Sequence, residues 1–134
     1  MTLRDLGLKV RFLPGQLGRA SGLKICYGGI MKGLIAIGAA MVRAAQRDGL
    51  AHVLADELEV SAPGVAKRLR SALPDMPPKA HRWVVEMEEV GGFAGSTPAG
   101  EMLRAVAAFY EEVAAQTEGY SAAQSSFLDQ PRSE

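Results

Sequence analysis

The segment 19–47 most limits the folds open to this chain, because it runs at helical length with apolar side chains on every face until Arg43. Leu23, Ile25, Tyr27, Ile30, Met31, Leu34, Ile35, Ile37, Met41 and Val42 leave no continuous polar stripe. A helix of that kind belongs in the middle of a bundle, buried by its neighbours. Its longest uninterrupted apolar run, 33–42, is closed by Lys32 and Arg43 and falls short of the roughly 20 residues that cross a bilayer, so the expectation is a buried helix and no membrane. Gly22, Gly28, Gly29, Gly33 and Gly38 lie inside it. Each costs about 1 kcal/mol relative to alanine, a loss that close packing by another helix or a ligand has to offset.

Further helices follow. Apolar positions Leu50, Val53, Leu54 and Leu58 predict a second over 50–58, after a break at Asp48 and Gly49. Ser61 reads as the cap of a third, with Pro63 in its first turn and Val65, Leu69 and Leu73 on its buried stripe. Pro74, Pro77 and Pro78 read as a rigid connector, and a fourth helix over 78–90 buries Ala80, Trp83, Val84, Met87 and Val90 until Gly91 and Gly92 stop it. Its wet face offers an Arg82–Glu86 pair. Thr97 and Pro98 open a fifth, running to about Gly119, and the Ser- and Gln-rich remainder, 119–134, reads as a flexible tail. Before all of this, residues 8–13 alternate, with Leu8, Val10 and Phe12 opposite Lys9 and Arg11, the period of a half-buried strand. A lone strand cannot satisfy its own backbone, so it implies a sheet elsewhere.

Composition removes several function classes. Fifteen Lys and Arg balance fifteen Asp and Glu, so the basic footprint of a protein that coats nucleic acid or anionic membrane is missing. One cysteine, Cys26, cannot form an internal disulfide, and with His52 and His81 far apart in the sequence there is no zinc-ligand cluster. Cys26 itself reads as a small hydrophobe on the buried helix. Charges at Arg4, Asp5, Lys9 and Arg11 interrupt any secretory signal, and a cytoplasmic location is expected. Neither GxGxxG after a strand nor GxxxxGK[ST] occurs, so neither phosphate-binding fingerprint is present.

Lys24 stands out as a charge near the start of an otherwise apolar helix. Partly desolvated, it could exchange a proton with a substrate; near the helix start, it could instead extend its ammonium into water. Ser21, Lys24, Tyr27 and Gly28 share one face at spacings of three and four, so a small polar ligand there would meet a hydroxyl, an amine and open backbone together. Lys32 lies about a quarter turn away and could hold an anion or be an ordinary solvated charge.

The stretch GRASGLKICYGGIMKG at 18–33, with PPKAHRWVVEMEEV at 77–90, resembles the helical domain of the beta-hydroxyacid dehydrogenase family, in particular its phosphogluconate dehydrogenase-like, NAD-binding C-terminal variant. The likeness covers about residues 7–114. It implies an all-α domain at 18–118 of five helices around a long central one, with residues 1–17 as strand and linker left from a Rossmann domain that is not in this sequence. It further implies that Lys24 is the proton-transfer residue, that Gly18 opens its motif, and that Ser21, Tyr27, Gly28 and Lys32 line the substrate. Gly28 stands where many members carry asparagine. The substrate would be a small hydroxy acid, the cofactor NAD or NADP held by the Rossmann partner, and the assembly a homodimer. Metal is not implied, and the chain alone is expected to be inactive.

A second resemblance competes. LADELEVSAPGVAKRL at 54–69 looks like a helix-turn-helix, in which Lys67, Arg68 and Arg70 would face DNA. Glu59 sits where the turn favours glycine and the chain as a whole is not basic. The alternative function is therefore a DNA-binding or non-enzymatic helical dimerisation module, with packing alone as the simplest role for the helix pair.

Overall fold

The computed structural model describes residues 5–7, 9, 13–15 and 18–128. Most of the expected strand, including Leu8, Val10, Arg11 and Phe12, lies outside the described residues. Among those described, the fold is all-α: α1 (Arg19–Arg47), α2 (Ala51–Ser61), α3 (Pro63–Ala72), α4 (Met76–Ala94), α5 (Pro98–Ala115), α6 (Thr117–Ala123) and α7 (Ser125–Leu128).

The long first helix is central, touching all six others, but it is not buried all round. Ile35, Ala36, Ala39 and Val42 are enclosed, whereas Tyr27, Ile30 and Ile37 are 65%, 70% and 61% exposed. The expectation of full burial is thus corrected: the bundle covers one side of α1 only. Cys26 shares the correction, since it is exposed. By length and composition α1 could cross a membrane, and 28% of its most apolar window is buried inside the bundle. Two glycines mark where neighbours press closest. A Cβ on Gly29 would come 2.8 Å from Val90 Cγ1 of α4, and one on Gly38 would come 2.3 Å from Leu69 Cδ2 of α3.

The closest pairing is the α4–α5 hairpin. Helix α4 does not stop at Gly91 and Gly92 but runs on to Ala94 and ends at Gly95, whose φ of 85° needs glycine. Gly91 is retained inside the helix because α5 approaches it: an added Cβ would sit 2.7 Å from Arg104 Cγ. The Arg104 guanidinium donates to the Gly91 and Gly95 carbonyls at 3.2 and 3.0 Å, tying the helix end to its partner. Helix α5 starts as expected, with Thr97 accepting a hydrogen bond from Gly100 N at 3.2 Å and Pro98 in its first turn.

Three other expectations change. Ser61 is the last residue of α2 and donates to Glu57 O at 2.7 Å, while Ala62 precedes α3. Pro77 and Pro78 belong to the first turn of α4, where a missing N–H costs nothing. Residues 119–128 are not a frayed tail but the larger part of α6 and α7, held by buried Tyr120 and Phe127. The core joins α1 to these late elements through Ile35, Val42, Leu73, Met76, Met87, Tyr110, Val113 and Phe127.

Candidate functional site

The N-terminal half of α1 forms one wall of a cleft of about 540 Å³ that α3 and α4 complete. Helical geometry places Ser21, Lys24 and Gly28 along one face of that wall, and all three line the cleft together with Tyr27 and Lys32. Five of the six residues singled out from the sequence therefore meet in one place. Gly18 does not: it is the N-cap of α1, exposed, with φ of 90°.

None of the residues on the other wall is among those expected to line the substrate, although 77–90 carries the family resemblance and Arg68 is among those offered to DNA. Trp83, Glu86, Glu89 and Val90 come from α4 and Arg68 from α3, while Ile25, Met31 and Ile35 supply apolar floor from α1. Glu86 does not pair with Arg82 among the described residues; its carboxylate meets Lys32 Nζ at 2.5 Å. Lys32 also lies 5.7 Å from the Trp83 ring centre, a cation–π contact that adds to its restraint. Trp83 packs edge-on against Tyr110 at 5.2 Å, so it is both a core residue and part of the cleft.

Tyr110 connects the cleft to the core. Its hydroxyl donates to the backbone carbonyl of Lys32, and burial raises its pKa well above the usual tyrosine range. Lys32 is thus fixed at both ends, its backbone by Tyr110 and its ammonium by Glu86. Lys24 is exposed and, among the described residues, has neither an ion pair nor a hydrogen bond from its side chain. This is the solvent-extended alternative rather than the partly desolvated one. The cleft offers the exposed Lys24 side chain, unpaired among the described residues, a hydroxyl on Ser21 and backbone at Gly28, where a Cβ would come within 3.8 Å of Lys32 Nζ.

The three basic residues offered for a DNA-facing surface part company. Arg70 donates to Glu59 Oε1 at 2.7 Å and to Phe127 O at 3.4 Å, and it lies over the Phe127 ring. Arg68 lines the cleft, and Lys67 is left exposed. Glu59 is inside α2 and the link to α3 is the single residue Ala62, which gives Glu59 its role as the partner of Arg70. No group of three or more His, Cys, Asp and Glu that could hold a metal occurs among the described residues.

A second recess of similar volume, about 540 Å³, lies over Ala40, Arg43, Gln46 and Arg47. Arg43 stacks 4.2 Å from the Tyr120 ring centre, and Tyr120 donates to Glu112 Oε1 at 2.8 Å. This arrangement clamps α6 to α1.

Comparison with known proteins gives one match. Residues 45–113 match DUF1932, a domain of unknown function, which covers just over half of the chain and includes α2, α3, α4 and most of α5. No curated protein and no solved structure matches.

Proposed function

Since the chain belongs to the DUF1932 domain family, we propose that its bundle is the substrate-binding and dimerising half of an NAD(P)-dependent oxidoreductase of the beta-hydroxyacid dehydrogenase type. The observation that carries this reading is the convergence of Ser21, Lys24, Tyr27, Gly28 and Lys32, all within one stretch of α1, on a cleft shared with α3 and α4. The resemblance at 77–90 adds to it, because that segment forms the facing wall.

Among the described residues the cleft has no glycine-rich turn between a strand and a helix to receive the phosphates of a dinucleotide. In this reading the cofactor belongs to a Rossmann domain, in a preceding segment or on a separate chain, and supplies the hydride acceptor or donor. The helical half binds the small hydroxy acid, shields it from water with Trp83, Ile25 and Met31, and offers Lys24 Nζ. As the neutral amine, Lys24 takes the substrate hydroxyl proton when the acid is oxidised, and as the ammonium it returns that proton in the reverse direction. Lys32, already neutralised by Glu86, orders the wall. Dimerisation uses the uncovered face of α1, where Leu23, Ile30, Leu34, Ile37 and Met41 recur at spacings of seven, four, three and four, with Tyr27 on the border between this face and the cleft. That stripe runs about 27 Å along the helix and suits a second copy presenting the same stripe. A bilayer would suit it less, because Lys24 stands on the flank of this stripe and the Lys32–Glu86 pair on the far side of the same helix. The cytoplasmic location stays part of the reading.

The test is reconstitution. The chain, alone and mixed with a separately expressed Rossmann domain of this family, is assayed with NAD and NADP against short hydroxy acids. Turnover only in the mixture is expected, with Lys24→Ala lowering kcat by about 100-fold or more. Unchanged turnover in Lys24→Ala removes it from the mechanism. No turnover and no cofactor binding in any mixture, with a stable dimer by light scattering, moves the function to a non-enzymatic helical module.

A further inference from the structure

Three cations and two carboxylates border the cleft: Lys24, Lys32 and Arg68 against Glu86 and Glu89. They are not equivalent. Lys32 is spent on Glu86 and the Trp83 face, and its side chain is only 20% exposed. Arg68 has no ion pair or hydrogen bond from its side chain among the described residues, and neither does Lys24. Among the described residues, two unpartnered cations from different helices thus share one recess with a single unpaired carboxylate, Glu89. Helix α3 shows the contrast within three residues, since Arg70 is consumed by Glu59 and the Phe127 carbonyl while Arg68 is left open among the described residues.

We infer that Arg68 is the residue by which the cleft recognises an anion, receiving the carboxylate of a short hydroxy acid whose hydroxyl lies toward Lys24. The inference rests on the reading above and adds a specificity-determining residue to it. A guanidinium presents parallel N–H donors that match both oxygens of a carboxylate, which an ammonium cannot do. Ile25, Met31, Ile35 and Val90 line the same cleft and give the carbon chain an apolar surface, and the volume is within the ordinary range for small-molecule sites. Glu89 disfavours a second negative charge, so the fitting ligand has one anionic end and one neutral hydroxyl end.

Binding separates this inference from the reading it rests on. The chain is titrated by calorimetry and by NMR with beta-hydroxybutyrate, with the neutral butanediol and with inorganic phosphate. Saturable binding of the acid is expected, weakened about 10- to 100-fold in Arg68→Ala, partly kept in Arg68→Lys, and unchanged in Lys67→Ala, which removes an equal charge one residue away. Butanediol binding should be weak and indifferent to Arg68. In the reconstituted mixture Arg68→Ala should raise KM with a smaller change in kcat, whereas Lys24→Ala should act on kcat. Absence of acid binding to the unaltered chain, or equal losses in Arg68→Ala and Lys67→Ala, overturns the inference. Tighter binding of phosphate than of the acid overturns the carboxylate assignment. Arg68-dependent acid binding without turnover in any mixture would leave the anion site standing and count against the dehydrogenase reading.

Discussion

The α4–α5 hairpin and the first half of α1 are both helical and both rich in glycine, yet they use the residue in different ways. In the hairpin, Gly91 and Gly100 are filled by the neighbouring helix or turn: a Cβ on Gly100 would lie 1.9 Å from Gly95 O. In α1, Gly28 and Gly33 open onto the cleft or onto space, with no bundle backbone against them. Gly29 beside them is pressed by Val90 as the hairpin glycines are pressed by their neighbours, so in α1 close packing and an accessible surface lie side by side, whereas Gly91 and Gly100 serve close packing alone. Stability should therefore concentrate in the first and recognition in the second.

That contrast can be broken by mutation. Met87 is fully buried in the middle of α4, so Met87→Ala should cost about 2–5 kcal/mol, read as a lower denaturant midpoint with an unchanged slope. A loss below that range would show that the hairpin is not the stable part. Tyr110→Phe sharpens the boundary, because it removes the hydroxyl that ties α5 to the Lys32 carbonyl; a loss of about 1 kcal/mol is expected. It also carries a pH signature. Burial raises the pKa of Tyr110, and burial together with the Glu112 hydrogen bond raises that of Tyr120. The unfolded chain gives up these protons from about pH 10 while the folded chain retains them. The contribution is complete below that pH and is lost as the pH rises beyond it, so alkaline unfolding should be less steep in Tyr110→Phe. The smallest effect on stability belongs to the exposed stripe. Ile30→Ser with Ile37→Ser should change monomer stability by about 0.5 kcal/mol or less while shifting the protein from dimer to monomer in light scattering; a large stability loss with no change in mass would mean the stripe is not an interface.

The bounds of α1 were legible because its apolar run and its flanking glycines are local signals. The continuation of α4 past Gly91 was not, because it depends on Arg104 thirteen residues later in the chain reaching back to the Gly91 carbonyl. Likewise, the ordering of 119–128 rests on Tyr120 and Phe127, two aromatic residues in a segment whose Ser and Gln content signals fraying. At the candidate site, one wall could be read from spacing along a single helix. The other could not, since Arg68, Glu86 and Glu89 join it through the rotation of α3 and α4 about their own axes, which no single-helix pattern contains. In the sequence Arg68 stands out only with Lys67 and Arg70 as one basic set, and Arg68 and Arg70 face different surroundings. An all-round apolar pattern also could not reveal which side of α1 the bundle leaves bare.

The bond from Tyr110 to the Lys32 carbonyl works as an index pin. A helix turns by about 100° per residue, so a slip of α1 by one position would carry Lys24 and Lys32 out of the cleft and turn the Leu23–Met41 stripe partly inward. By engaging the main chain of α1 at one register, an aromatic residue seventy-eight positions away decides which side of a nearly featureless apolar rod lines the cleft and which is left bare.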